Sequence, residues 1–162
     1  MLISDEEMKY ISDTGRFKFV KDVSCDLATV KRRVQITKNS GVAILNANAA
    51  IAWEAMKAGG RGFNGVNLNM QTDLYKWLYT KCEKYPEVAK ELSVFLVMSA
   101  CTNSYGYPVL AKLYQKRIGN LKTIVSRSYA GNVFDKVWGF EPILDKIMEG
   151  CEFYRDKIKD LQ

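Results

Sequence analysis

Along the first 66 residues, short apolar runs alternate with segments of helical pattern. Ser4 followed by Glu7 has the spacing of a capping box, in which hydroxyl and carboxylate satisfy each other's free backbone amides. A helix is therefore predicted over residues 5–13, with Gly15 ending it. Arg16-Phe17-Lys18-Phe19-Val20-Lys21 reads as a short strand that stops on a lysine and an acid, Asp22. Asp26 is placed to cap a helix carrying Thr29, Val30, Val34 and Ile36, which closes near Asn39-Ser40-Gly41. The run Val42-Ala43-Ile44-Leu45 lacks alternation, as a strand buried on both faces would. A helix over residues 49–58, ended by Gly59-Gly60, leads into a third strand at Gly62-Phe63-Asn64-Gly65-Val66. Strands separated by helices predict parallel pairing through right-handed crossovers.

Beyond Asn69 the pattern is helical only, over residues 72–84, 86–102, 108–118 and 142–160. Pro86, Pro108 and Pro142 each stand near a helix start, where the missing amide costs little. The expected organisation is α/β: a three-stranded parallel portion over residues 1–69, a helical portion over 70–162, and residues 67–71 as the joint. Three parallel strands leave two open edges, which invite pairing with another chain. Either the rest of a barrel lies elsewhere or assembly covers those edges.

At 162 residues and 48% apolar side chains, the chain has the material for a folded core, which excludes a disordered or collagen-like protein. It falls short of the ~250 residues of a complete eight-fold β/α barrel. Net charge is +6, but only Lys31-Arg32-Arg33 and Lys116-Arg117 form tight clusters, so nucleic acid is not the expected partner. The absence of histidine rules out a Ser-His triad and a typical zinc site. No metal or other cofactor is expected, and acid-base chemistry falls to Lys, Tyr, Cys or carboxylates. Cys25, Cys82, Cys101 and Cys151 lie far apart with no C-x-x-C pair, which reads as a set of reduced thiols. The acidic start Met1-Leu2-Ile3-Ser4-Asp5-Glu6-Glu7 and the lack of a ~20-residue apolar stretch predict a cytoplasmic, soluble protein with no membrane contact.

Two groups of residues are candidates for chemistry. Lys21, at the C-terminal end of a parallel strand, stands on the side where α/β folds place their ligands, and a partly desolvated amine there can attack a carbonyl. The other reading is a solvated strand-end lysine paired with Asp22. Asn46, Asn48, Asn64 and Asn67 would either point into one mouth and orient a polar substrate or simply close turns, as asparagine commonly does. Gly59-Gly60-Arg61-Gly62 lies between a helix and a strand, the wrong polarity for a dinucleotide loop, and suits a helix C-cap and turn. Tyr105 and Tyr107 are packing or interface aromatics.

The order of Phe19-Val20-Lys21-Asp22-Val23-Ser24, Leu45-Asn46-Ala47-Asn48, Ala58-Gly59-Gly60-Arg61-Gly62-Phe63-Asn64-Gly65-Val66 and Asn69 resembles the later strands of the dihydrodipicolinate synthase and N-acetylneuraminate lyase family. Asp73-Leu74-Tyr75 and Tyr107-Pro108-Val109-Leu110-Ala111-Lys112 extend the resemblance, which runs from about Ser4 to Lys159 and is weakest after Gly119. It implies the last three strands of a (β/α)8 barrel followed by a C-terminal helical segment. It also implies a class I aldolase or lyase in which Lys21 forms a Schiff base with pyruvate or a related 2-oxo acid. Asn46, Ala47, Asn48, Asn64 and Gly65 are the matching candidates for the substrate side of the site.

The family's Gly-Thr-Thr turn for the pyruvate carboxylate occurs nowhere in this sequence, and its tyrosine proton relay precedes the lysine strand. Little or no turnover is therefore expected from the chain alone. Alanines stand where sialic-acid lyases carry acidic residues, which disfavours a sialic acid, and Gly65 stands where a serine is common in the family, which leaves more room or less hydrogen bonding at the third strand. The alternative is a non-enzymatic module that assembles as a homo-oligomer or with a complementary barrel portion. A basic nucleic-acid-binding domain using Lys31-Arg32-Arg33 has the least in its favour.

Overall fold

The structure, a computed structural model, describes residues 2–129 and 131–161. The chain divides into two compact units, Met1–Gly65 and Val66–Gln162, so the division falls after Gly65 rather than at residue 69.

In the first unit, helix α1 (Asp5–Asp13) starts at the predicted capping box: Ser4 N donates to Glu7 Oε2 at 2.7 Å and Glu7 N to Ser4 Oγ at 3.2 Å. There follow β1 (Phe19–Asp22), α2 (Leu27–Thr37), β2 (Ala43–Asn46), a 3-10 turn at Ala49–Ile51, α3 (Ala52–Lys57) and β3 (Gly62–Phe63). The sheet order is β1-β2-β3 with both pairings parallel; Lys21 stands opposite Leu45, and Leu45 opposite Gly62. Because side chains alternate along a strand, Phe19, Lys21, Ala43 and Leu45 share one face, and Val20, Asp22, Ile44 and Asn46 the other.

The second face is the covered one. Val20 and Ile44 join Met8, Val30, Val42 and Ala55 in the core, with Ile3, Ile11, Leu27 and Val34 packed around them. On the first face Phe19 is 57% exposed, Lys21 is exposed, and Ala43 and Leu45 are only half-buried. The expectation of a β2 buried on both faces is thus corrected: an apolar run without alternation here marks a strand with one covered face and one open one.

Three local differences have plain causes. Residues 16–18 stay outside β1, and β3 is only two residues long. The helix expected over 49–58 splits, because Asn48 Oδ1 accepts from Ala50 N at 2.9 Å and starts a tight 3-10 turn. Gly59 (φ 97) ends α3 in the left-handed region, and a Cβ on Gly60 would lie 2.7 Å from the Ala55 carbonyl oxygen, so this turn demands both glycines.

The second unit is helical: α4 (Leu68–Lys81), α5 (Pro86–Cys101), α6 (Asn103–Gly106), α7 (Val109–Arg117), α8 (Val133–Lys136) and α9 (Phe140–Ile158). α4 packs against α5, α7 and α9 around Leu74, Leu78, Leu92, Leu96, Leu110, Tyr114 and Leu144. The segment read as a joint is part of this unit: α4 begins at Leu68, four residues before its expected start, and bends at Gln71 (φ −134, ψ 28). α6 and α8 are single turns, too short to show a helical period in the sequence. Among the described residues no helix is long and apolar enough to cross a membrane.

Candidate functional site

The alternation of β1 separates its two ionisable residues. Asp22 turns to the covered face, where its carboxylate accepts from Arg33 Nη1 at 2.5 Å, from Ser24 N at 2.9 Å and from Ser24 Oγ at 2.6 Å. Arg33 also donates to the Ile3 carbonyl at 2.8 Å, and both charged side chains are almost wholly buried. Asp22 therefore locks α2 onto β1 and is not a partner for Lys21, as a pairing between adjacent strand residues would have required. On the open face no hydrogen bond or ion pair reaches Lys21 among the described residues. Its neighbours there are Phe19, two residues earlier, and Leu45, across the register.

Past Lys21 the chain turns through Cys25, which has φ 58, the left-handed region that favours glycine. This turn sets Asp26 as the N-cap of α2, with Oδ2 accepting from Thr29 Oγ1 at 2.7 Å and Thr29 N at 2.8 Å. Those bonds, the hydroxyl's foremost, hold the Asp26 carboxyl below its usual range.

At the same C-terminal end of the sheet, Ala47 N donates to the Asp22 carbonyl at 2.9 Å and Asn64 N to the Asn46 carbonyl at 2.7 Å. The structure thus brings Lys21, Ala47, Asn48 and Asn64 to one end of three adjacent strands. It does not aim all four asparagines into one mouth. Asn46 is 1% exposed; its Nδ2 donates to the Asn48 carbonyl at 2.6 Å and its Oδ1 accepts from Asn48 N at 3.1 Å, closing a turn. Asn48 is occupied as the cap of the 3-10 turn, and Asn67 belongs to the helical unit, bonded to Gln71 and Asn103.

Gly65 gives no extra room either. A Cβ there would lie 2.1 Å from the Phe63 ring, which fills that space. Phe19, Phe63 and Arg33 are the residues that sequence reasoning missed. The spacing Phe19-x-Lys21 did carry a signal, since residues two apart on a strand share a face. Nothing local marked Arg33 as the partner of Asp22. Among the described residues no group of three or more Cys, Asp or Glu side chains gathers as a metal cage.

Comparisons with known proteins give the architecture its frame. No family model and no curated protein matches the sequence. Among solved structures, the chain is similar to dihydrodipicolinate synthase of Bacillus anthracis at 16% identity and a TM-score of 0.77, over 92% of this chain and 50% of that one. The Thermotoga maritima dihydrodipicolinate synthase gives 16%, 0.75, 91% and 50%. The Acinetobacter baumannii enzyme, solved with pyruvate, gives 16%, 0.74, 92% and 50%. The chain therefore spans about half the length of these neighbours, and its fold is that of a partial (β/α)8 barrel with appended helices, as the sequence resemblance implied.

Proposed function

We propose that the chain is the C-terminal portion of a class I aldolase or lyase of the dihydrodipicolinate synthase kind, with Lys21 as the Schiff-base lysine for pyruvate or a related 2-oxo acid. The observation that carries this reading is the placement of Lys21. It is the last residue but one of a parallel strand, on the open sheet face, in a chain whose fold is part of a barrel. In such barrels chemistry sits at the C-terminal strand ends.

The neutral amine adds to the C2 carbonyl to give a carbinolamine. Loss of water from the protonated carbinolamine leaves the iminium ion, and transfer of a C3 proton to solvent makes its bonding pair a C2–C3 double bond while the iminium π pair moves to nitrogen, forming the neutral enamine. That carbon then makes or breaks the bond to the second substrate, with no metal needed. Ala47, Asn48 and Asn64, at the same end of the sheet, are the groups proposed to border the substrate, along with Gly65 and the turn held by Asn46.

With no Gly-Thr-Thr turn to hold the carboxylate and no relay tyrosines before Lys21, the chain alone is expected to form the imine slowly and to turn over little. The four free cysteines fit a reducing, cytoplasmic setting. Borohydride trapping with pyruvate, read by peptide mass spectrometry, should place one reduced adduct on Lys21 and none in Lys21→Met. Adduct spread evenly over the surface lysines would sink the assignment. A second reading, a non-enzymatic assembly module, is favoured by the 57% exposure of Phe19 on the open face. It predicts a stable oligomer and no site-selective adduct.

A further inference from the structure

The end of the sheet opposite Lys21 holds a cavity that the proposed chemistry does not use. It lies within the first unit, between the C-terminal ends of α2 and α3 and the start of β2, and has a volume of about 360 Å³. Val34, Val42, Ile44 and Ala58 give it apolar walls, and Lys38 and Arg61 bring two cations to it. The Gly41 amide lines it too, and no acceptor reaches that N–H among the described residues.

Neither helix end needs these cations. The end of α2 closes on itself: Thr37 Oγ1 donates to the Arg33 carbonyl at 3.0 Å, Lys38 N to that of Gln35 at 3.3 Å and Ser40 N to that of Thr37 at 3.1 Å. At the end of α3 the Ala58, Gly59 and Gly60 amides bond the Glu54, Met56 and Ala55 carbonyls at 3.0, 3.0 and 2.9 Å. The last carbonyls of both helices are thus satisfied without a basic side chain. Nor does a carboxylate take the cations up, for no ion pair or hydrogen bond engages the Lys38 ammonium or the Arg61 guanidinium among the described residues. The segments entering the three strands, 14–18, 38–42 and 58–61, carry Arg16, Lys18, Lys38 and Arg61 and no acid, whereas Asp22 and Asp26 stand at the other end.

Two uncompensated cations beside one cavity favour an anion between them. The volume is at the low end for ligand sites, which suits a small molecule. Two cations and an open amide match a head group of charge about −2 with several acceptor oxygens, as a phosphate monoester has. The four aliphatic side chains match an apolar body. We infer that this cavity binds a small phosphomonoester with an apolar body, its phosphate held by Lys38, Arg61 and the Gly41 amide. The site is independent of Lys21, since it faces the opposite strand ends, about 10 Å of strand away.

The test is titration of the whole chain with phenyl phosphate, inorganic phosphate and succinate, followed by calorimetry and amide NMR. Phenyl phosphate should saturate one site, move the Gly41, Val42 and Gly59 signals, and bind about tenfold tighter than inorganic phosphate. Lys38→Gln and Arg61→Gln, both at exposed positions, should each weaken it about tenfold with the urea midpoint unchanged. Lys18→Gln, at the same end but outside the cavity, should change it by less than about twofold. No saturation, signals moving all over the basic surface, or an equal loss in the Lys18 variant would each overturn the inference. Succinate binding as tightly as phenyl phosphate would overturn the phosphate head group, and inorganic phosphate binding as tightly would overturn the apolar body.

Discussion

The two units solve the same problem, burying polar groups, in opposite ways. In Met1–Gly65 a single buried ion pair, Asp22 with Arg33, ties helix to strand on one face while the other face stays open. In Val66–Gln162 the polar groups close on themselves: Gln71 Nε2 donates to Ser99 Oγ at 2.8 Å and to Cys151 Sγ at 3.5 Å, Asn67 Nδ2 to Gln71 Oε1 at 3.2 Å, and Asn103 Nδ2 to Asn67 Oδ1 at 2.6 Å. This neutral network links α4, α5 and α9 through groups that exclude water. The difference teaches where to look for chemistry. The helical unit has used Asn67, Gln71, Ser99 and Cys151 in holding itself together, whereas the sheet leaves an amine and an edge unspent.

The largest effect should come from cutting the ion pair. Arg33→Met leaves a carboxylate with 0% side-chain exposure uncompensated and should cost about 3–5 kcal/mol in urea unfolding. Hydrogen exchange should accelerate in β1 and α2 and remain unchanged in α4 and α9. Adding Asp22→Leu should recover most of the loss; if the double variant is as unstable as the single, the cost lies in packing rather than in the stranded charge.

Next comes the helical network. Gln71→Leu keeps the volume but leaves Ser99 and Asn67 without their shared partner, a loss of about 2 kcal/mol, with exchange quickened in α4, α5 and α9 instead. A change below ~0.5 kcal/mol would mean the network is decorative.

These two expectations show what the sequence held. The capping box at Ser4, the Asp26 cap and the turn glycines depend on residues a few positions apart, so their signals are local and legible. The same is true of Lys21, whose position at a strand end follows from the run before it. Asp22–Arg33 and Gln71–Ser99 join residues 11 and 28 positions apart, and Gln71–Cys151 spans 80. A buried glutamine looks like any helix-surface glutamine until the packing of three helices is known. That is why residues 67–71 read as a joint and the asparagines as one mouth.

Alkaline pH separates the units more gently. Burial pushes up the Cys151 thiol and the Tyr75 and Tyr114 phenols of the helical unit. All three are neutral when protonated, so the stability they lend is complete below their ordinary values of 9.0 and 10.0 and is lost as pH climbs past them. The urea midpoint of α4–α9 should hold flat to pH ~8.5 and fall above pH ~9. Iodoacetamide at pH ~8 should label exposed Cys25 and Cys101 and spare Cys151 until urea is added. Early labelling of Cys151 would show that the network opens on its own.

The smallest effect is at the βα turn. Cys25→Gly relieves a left-handed residue and should stabilise the first unit by about 0.5 kcal/mol, read as a small rise in its midpoint. A loss instead would assign the thiol a contact of its own.

The long reach of Gln71 also sets an order of events during synthesis. The strands of the first unit pair across 24 positions or fewer, as in Phe19 with Ala43, so that unit can assemble once its own 65 residues are free. The amide of Gln71 must wait for Cys151, 80 residues later, which at ~5–20 residues per second is about 4–16 s. Through that interval the ribosome holds a chain whose Lys21 is already in place on its strand while α4 still lacks its last partner. The edge of β1 is therefore formed before the last helix of the second unit has left the ribosome.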